Sequence, residues 1–246
     1  MSAQRLTELE ALSFRAWPAF EEEEHGGWIM RFAGGYSRRL NSATPAVDSI
    51  ANLDDDLDRA RDWFSARGQP LVVRLTSGME QVDRGLAERG YLMESPVDIM
   101  TADLPIASSD AAGVSLTPTA TDAWFAFDRP LLGDDRRDLV DAWRRILAGL
   151  EPPAAFALVG EDRSVAAGYA AAETGWVGLF QIAVHPHVRR RGLGRAVSAA
   201  LLEWGRGQGA TRAYLQVERV NRPGRALYAS LGFAHEYEYW YRRAPR

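Results

Sequence analysis

The sequence contains no cysteine and no lysine, and it has only four histidines. Without cysteine the chain has no disulfide, no thiolate nucleophile and no thiolate ligand for a metal. Because the histidines are scattered along the chain, we expect no metal site. All 29 basic residues are arginine, so no side chain of the protein carries a primary amine.

Long apolar runs are also absent. No stretch approaches the roughly 20 apolar residues of a membrane-spanning helix, and the first ten residues lack the apolar core of a secretion signal. We therefore expect a soluble, cytoplasmic protein with no membrane partner. The formal net charge is −4 at pH 7, which argues against a nucleic-acid partner because such proteins carry basic surfaces.

The length and the internal pattern of the chain predict two domains. The sequence has 246 residues, of which 46% are hydrophobic. A stretch of small and polar residues at 104–121 predicts a linker or an inter-domain strand, with domains at 1–105 and 106–246. Residues 59–91 repeat the layout of 202–233, with a Gly-Tyr pair closing the first segment and a Gly-Phe pair closing the second. A chance match of two common helix-strand-helix patterns is the alternative.

The second half alternates between helical and strand patterns. Apolar residues at helical spacing predict helices, and short apolar runs bounded by turns predict strands. The predicted helices are 134–150, 193–207 and 222–231, and the predicted strands are 154–159, 165–173, 176–184, 213–218 and 235–243. This order predicts a mixed α/β domain.

The most informative segment is 179–195, which reads LFQIAVHPHVRRRGLGR. An apolar strand leads into an arginine-rich turn, and a helix follows. Gly192 and Gly194 allow backbone N–H groups to converge on anionic oxygens, and the start of the helix adds the positive end of its dipole. The neighbouring arginines are forked donors for phosphate. The segment predicts a pyrophosphate site, and a solvated basic helix start is the alternative.

The pattern Arg-x-x-Gly-x-Gly at 189–194 resembles the acetyl-coenzyme A signature of the GNAT superfamily of N-acetyltransferases. A second segment, 214–233, is similar to the last strand and helix of that family. The resemblance implies the GNAT fold, in which a mixed and mostly antiparallel sheet is flanked by helices. It also implies acetyl-CoA as co-substrate and two GNAT-like halves, the first of which has lost its cofactor turn. We expect the lost turn near 36–41, where arginines occur without Gly-x-Gly.

The resemblance also implies which residues bind the co-substrate. In the family, the strand before the turn carries a bulge whose backbone N–H polarises the thioester carbonyl, while the turn holds the phosphates. Carried over to this chain, the binding residues are Ile182, Ala183, Val184, Arg189, Arg190, Arg191, Gly192, Leu193, Gly194, Arg195, Asn221 and Tyr228. For Asn221 the alternative is a helix N-cap, and for Tyr228 it is a core tyrosine.

Acetyl transfer to an amine also needs a proton donor for the thiolate and an acceptor for the amine proton. The resemblance assigns the donor role to Tyr228. Ribosomal-protein-alanine acetyltransferases have a glutamate where this chain has Gln216, and glutamine cannot accept a proton. We name Glu218 and Glu173 as candidate bases, each with a solvated or arginine-paired carboxylate as the alternative.

We therefore expect an N-acetyltransferase that moves an acetyl group from acetyl-CoA to the primary amine of a small molecule. Because there is no cysteine to carry the acetyl group, transfer should be direct, within a ternary complex. The alternatives are a protein or peptide amine as acceptor, a non-catalytic acyl-CoA-binding protein, and an aminoacyl-tRNA-dependent transferase. The chain is expected to be a monomer or a homodimer.

Overall fold

The computed structural model describes residues 2–105, 113–132, 138–160 and 164–245. Its contacts divide the chain into two compact units. Unit 1 contains the residues up to Trp17 together with Ile99–Val217 and Asn221–Glu236, and unit 2 contains Pro18–Asp98, Glu218–Val220 and the residues from Tyr237 onward. The units therefore differ from the predicted domains 1–105 and 106–246, because each unit includes one end of the chain from the opposite half.

The described residues form helices and strands in the following order. The helices are α1 Ala3–Arg15, α2 Leu53–Ser65, α3 Glu80–Glu88, α4 Asp122–Leu132, α5 Asp138–Ala148, α6 Leu193–Gly207 and α7 Arg222–Ser230. The strands are β1 Glu21–His25, β2 Trp28–Phe32, β3 Ser42–Pro45, β4 Val72–Thr76, β5 Leu92–Asp103, β6 Val114–Thr117, β7 Ala154–Val159, β8 Ala166–Glu173, β9 Trp176–Val184, β10 Arg212–Glu218 and β11 Ala234–Arg243.

The sheet of unit 1 has the strand order β5-β10-β9-β8-β7-β6. Strands β6 to β9 pair antiparallel, and β9 pairs with β10 in parallel. One face packs on α6 and α7 through a core that includes Leu179, Val197 and Leu201. The other face carries a layer of buried rings that we call the aromatic layer: Trp17, Trp124, Trp143, Phe156, Tyr169 and Phe180.

Most elements predicted for the second half are confirmed. The bounds of β7, β9 and the start of α6 match the prediction, because each is set by a turn residue or a glycine. The helix predicted at 134–150 is observed as the shorter α5, and residues 133–137 lie outside the described part of the chain. Strand β6 falls within the predicted linker and pairs with β7. The sequence patterns missed α4 altogether.

Unit 2 has the strand order β1-β2-β3-β4-β11-β5. Its core lies between the sheet and α2 and α3, and includes Phe64, Val73 and Leu86. The path β3-α2-β4-α3 repeats the path β9-α6-β10-α7 of unit 1, with a parallel strand pair in each. Gly90 (φ +79°) and Gly232 (φ +89°) follow the last helix of each path in left-handed conformation. The predicted order of the repeated segments is thus observed.

The cofactor turn expected near 36–41 is wrongly placed. Residues 33–41 form a loop before β3, held by Asn41, whose Oδ1 accepts from the N–H groups of Ala33 (2.9 Å) and Gly35 (3.0 Å). In the path β3-α2 the segment between strand and helix is 46–52, whereas the glycine turn lies between β9 and α6 in the repeated path. The arginines of 36–41 misled the prediction because sequence alone did not show where β3 ends.

In unit 2 the side chain of Asp83 on α3 holds strand β11. It accepts hydrogen bonds from Trp240 and, at 2.8 Å through each oxygen, from Arg242. Burial raises the pKa of Asp83, but the hydrogen bonds and charge of Arg242, with the bond from Trp240, outweigh this effect and hold the pKa below its usual value.

We expect Asp83→Asn to lower the free energy of unfolding by about 1.5 kcal/mol at pH 7. Because the pKa of Asp83 is lowered by folding, the difference from the wild type should persist above about pH 4 and shrink at lower pH. Urea unfolding at pH 7 and at pH 3 measures both effects. The control is Asp58→Asn, whose partner Arg61 and own carboxylate are largely exposed; a similar loss in both variants would contradict the assignment.

Candidate functional site

A cavity of about 600 Å³ lies in unit 1 at the end of β9. We call it the glycine-turn cavity. It is bounded by the end of β9, the turn, the start of α6 and the first residues of α7. Its lining residues are Ile182, Ala183, Val184, Arg189, Arg190, Gly192, Leu193, Gly194, Arg195, Asn221, Pro223, Gly224, Leu227 and Tyr228. The structure therefore brings together every residue predicted to bind the co-substrate except Arg191, which is exposed in the turn.

Strand β9 carries a bulge at the edge of the cavity. Phe180 pairs with Tyr169 and Ala183 pairs with Ala167, so two residues, Gln181 and Ile182, face the single residue Gly168. Gln181 has a positive φ of +50°, which is uncommon for a residue other than glycine. The bulge turns Ile182 and Val184 toward the core on the α6 side.

Beside the bulge, β9 and β10 separate. Their parallel register runs from Arg212 opposite Trp176 to Leu215 opposite Leu179, and no later pair is formed among the described residues although both strands continue. The backbone of β9 from Ile182 to Val184 therefore lies beyond the part of the strand that is paired with β10. A strand edge of this kind can pair with an extended ligand.

The backbone requires glycine at positions 192 and 194 for different structural reasons. Gly192 has φ +79° and open space around the Cβ position, so the left-handed backbone is what requires glycine. At Gly194 a Cβ would lie 3.2 Å from Leu227 Cδ2 and 3.6 Å from Val184 Cγ2. Helix α6 begins directly after Gly192, so the N–H groups of its first turn have no carbonyl partner within the helix. The turn thus presents N–H donors and a positive helix end to one cavity.

The four arginines of the turn are not equivalent. Arg189 Nε donates to the carbonyl of Val184 at 3.1 Å, and Arg195 Nη2 donates to Ser230 Oγ at 2.7 Å, so both lie against the protein. Arg190 has a left-handed backbone with φ +66°. Arg190 and Arg191 are exposed and make no hydrogen bond or ion pair with the described residues. These two guanidinium groups are therefore free to meet an anion.

Tyr228 lies on α7 with 9% of its surface exposed, and it both lines the cavity and packs on Phe233. Burial raises the pKa of Tyr228 to about 12. The hydroxyl therefore keeps its proton at every physiological pH. It can donate a hydrogen bond, whereas full proton transfer to a thiolate, whose conjugate acid has a pKa near 8.5, is unfavourable.

The family model for the C-terminal region of the probable histone acetyltransferase Rv0428c matches residues 4–242. The chain belongs to this family. It is 25% identical over 246 residues to the uncharacterized N-acetyltransferase YobR of Bacillus subtilis strain 168, covering 96% of this chain and 98% of that protein.

Solved structures show the same fold. A GCN5-related N-acetyltransferase from Kribbella flavida superposes with a TM-score of 0.68 at 19% identity, covering 99% of this chain and 96% of its own. A tandem GNAT protein from the clavulanic acid biosynthesis pathway, solved without AcCoA, has a TM-score of 0.63 at 14% identity. The match covers 97% of this chain and 88% of that protein. The predicted GNAT fold and the assignment as a GNAT N-acetyltransferase are therefore confirmed.

In this GNAT protein the alternative roles named for two residues are also observed. Asn221 caps α7, with its Oδ1 accepting from the N–H of Gly224 at 3.0 Å, and its side chain still lines the cavity. Tyr228 belongs to the hydrophobic core as well as to the cavity. Neither residue is thereby excluded from binding, because each presents part of its surface to the cavity.

Neither candidate base is among the residues that line the glycine-turn cavity. Glu173 pairs with Trp176 at the far end of the β8–β9 hairpin, roughly 25 Å along the strand from Val184, and both its oxygens accept from Arg15 Nε. The structure does not bring Glu173 to the glycine-turn cavity, and we withdraw it as a base. Glu218 is exposed at the end of β10 and makes no hydrogen bond or ion pair with the described residues.

Among the described residues, no three His, Asp or Glu side chains form a group able to hold a metal ion. Over the same ranges, no helix is both long enough and apolar enough to cross a membrane.

The sequence patterns did not indicate Leu227, which lines the cavity, Gly168, which faces the bulge, or Trp124, which donates a hydrogen bond to the Gly168 carbonyl. A glycine inside a predicted strand is a recognised sign of a bulge or a close approach, so Gly168 carried a signal. No sequence signal indicated the position of the Trp124 ring, because α4 itself was not predicted.

Proposed function

We propose that the protein transfers the acetyl group of acetyl-CoA to the primary amine of a small molecule, directly within a ternary complex. The observation that carries the proposal is the glycine-turn cavity, where a strand bulge and an arginine-rich helix start meet. One half suits an extended, amide-bearing chain and the other suits a pyrophosphate. Acetyl-CoA combines both chemical parts.

The residues at each end have distinct roles in this proposal. The N–H groups of Leu193, Gly194 and Arg195, with the free guanidinium of Arg190, bind the pyrophosphate. The backbone N–H groups after Gln181 donate to the carbonyl oxygen of the acetyl group and polarise it. Since the chain has no cysteine, the amine attacks the acetyl carbon directly, and Tyr228 donates a hydrogen bond to the departing sulfur.

For the proton of the attacking amine we propose Glu218 as the acceptor. Its exposed carboxylate without a described partner supports this role. Related enzymes have a glutamate at the position of Gln216. The amide oxygen of glutamine is far less basic than a carboxylate, so Gln216 cannot accept the proton. Glu218→Gln should therefore lower the rate without changing the affinity for acetyl-CoA.

A protein amine is the second candidate acceptor. The family description names a probable histone acetyltransferase, and that name concerns a relative of this chain. We retain the small-molecule amine as the first proposal and treat the protein acceptor as an outcome of the test.

We further propose that the first half of the chain is a GNAT-like repeat that does not bind acetyl-CoA. The first turn of α2, which corresponds to the phosphate-binding helix, carries Asp54, Asp55 and Asp56. Three carboxylates there repel a pyrophosphate. At α3 the carboxylate of Asp48 already accepts from the N–H groups of Gln81 and Val82, each at 2.9 Å.

This arrangement predicts one acetyl-CoA site per chain. Calorimetric titration of the full chain should give a stoichiometry of one. A stoichiometry of two would contradict the loss of binding in the first half.

Release of coenzyme A, followed with a thiol reagent, tests the proposal. The protein contributes no background because it has no cysteine. The acceptor panel should contain amino acids, amino sugars, polyamines, and peptides with lysine or a free N-terminus. Acetylated small amines in the mass spectrum support the first proposal, and products limited to peptides support the second. Binding of acetyl-CoA without any product would identify a non-catalytic acyl-CoA-binding protein.

A further inference from the structure

Gly168 stands alone against the two bulge residues Gln181 and Ile182. A side chain at this position would displace Ile182, since a Cβ would lie 2.5 Å from Ile182 Cδ1 and 3.2 Å from Val197 Cγ1. Its carbonyl accepts a hydrogen bond from Trp124 Nε1 at 3.1 Å in a buried environment. A side chain of α4 thus bonds to β8 at the position opposite the bulge.

The indole of Trp124 is held firmly. The residue is 3% exposed, and its backbone N–H donates to Thr121 Oγ1 at 3.2 Å at the start of α4. Its ring packs edge-on to Phe156 at 5.3 Å between centroids. Trp143 lies 6.0 Å from it in the same layer. This packing fixes the orientation of the ring, so that the indole N–H points toward the Gly168 carbonyl.

We propose that Trp124 is a positioning residue that holds the β9 bulge in the form needed to polarise the acetyl carbonyl. This inference rests on the proposed function. Gln181 stores backbone strain at φ +50°, so the bulge needs support from its surroundings. Trp124 supplies that support by bonding the carbonyl of the one residue that faces the bulge. It acts through Gly168 and does not itself contact the acetyl group.

Loss of the Trp124 hydrogen bond should affect binding of the acetyl group and leave binding of the phosphates unchanged. Loss of the indole N–H leaves the Gly168 carbonyl buried without this donor and loosens the bulge. The glycine turn, formed by different residues, stays intact. The affinity for acetyl-CoA should therefore fall toward the affinity for free coenzyme A, which has no acetyl carbonyl to bind.

The test compares Trp124→Phe with the matched control Trp143→Phe. Both remove an indole from the aromatic layer, and Trp143 is the more buried of the two. We expect Trp124→Phe to lower kcat/KM about tenfold and to keep coenzyme A affinity within twofold, and the control to keep both within twofold. An equal loss in both variants, or no loss in Trp124→Phe, would overturn the inference.

A second readout does not depend on catalysis. Amide hydrogen exchange at Ile182 and Ala183, followed without any ligand, should be faster in Trp124→Phe than in the wild type and in Trp143→Phe. Unchanged exchange at these two residues would contradict the positioning role even if the enzyme is active. A wild-type protein that binds no acetyl-CoA would contradict the proposed function and leave the positioning role to the exchange measurement. If Trp124→Phe does not fold, replacing Trp124 with benzothienylalanine removes only the N–H and gives the same comparison.

Discussion

Gly192→Val is expected to weaken acetyl-CoA binding by roughly tenfold to a hundredfold. Gly192 has φ +79°, and forcing a β-branched residue into that region costs on the order of 1 to 3 kcal/mol. The backbone will relax by rotating the N–H groups at the start of α6 away from the cavity. Because those groups bind the pyrophosphate in the proposed complex, the dissociation constant should rise, as measured by calorimetry.

Gly207→Val is the matched control. Gly207 is the last residue of the same helix, it has open space at the Cβ position, and its φ is not positive. The control should bind acetyl-CoA as the wild type does. If Gly192→Val bound equally well, the turn would not hold the phosphates.

Tyr228→Phe is expected to lower kcat about a hundredfold while leaving acetyl-CoA affinity within a fewfold of the wild type. The substitution removes only the hydroxyl, and the ring continues to fill the core beside Phe233. Loss of a hydrogen bond to the developing thiolate affects the transition state more than the bound ground state. Steady-state kinetics with saturating acetyl-CoA separate the two parameters.

The pH profile sharpens this prediction. Burial raises the pKa of Tyr228 to about 12, so the hydroxyl stays protonated and should contribute no inflection below about pH 11. Tyr91→Phe, in unit 2, is the control for loss of a tyrosine hydroxyl away from the cavity. A wild-type rate that falls near pH 9 and loses that fall in Tyr228→Phe would contradict the pKa assignment.

The second half of the fold was largely predictable because local signals coincide with the elements. Gly192 marks the start of α6, and the turn at 174–175 separates β8 from β9. The same signals predicted the glycine-turn cavity, since its residues are close in sequence or belong to the adjoining strand and helix. A binding site built from consecutive backbone groups can be read from sequence.

Features that depend on distant contacts were not predictable. The pairing of Glu173 with Arg15 joins residues 158 positions apart, and no local pattern reports it. The hydrogen bond from Trp124 to Gly168 requires a helix whose sequence has no clear apolar spacing. The position of the lost turn in the first half was misjudged because β3 is only four residues long, too short for its end to be recognised from alternation.

A crystal structure of the full chain with acetyl-CoA tests the central claim most directly. We predict one molecule per chain, with the pyrophosphate at the N–H groups of residues 193–195 and the acetyl oxygen at hydrogen-bond distance from a backbone N–H just after Gln181. Coenzyme bound away from the glycine-turn cavity, or at residues 46–52 of the first half, would contradict it.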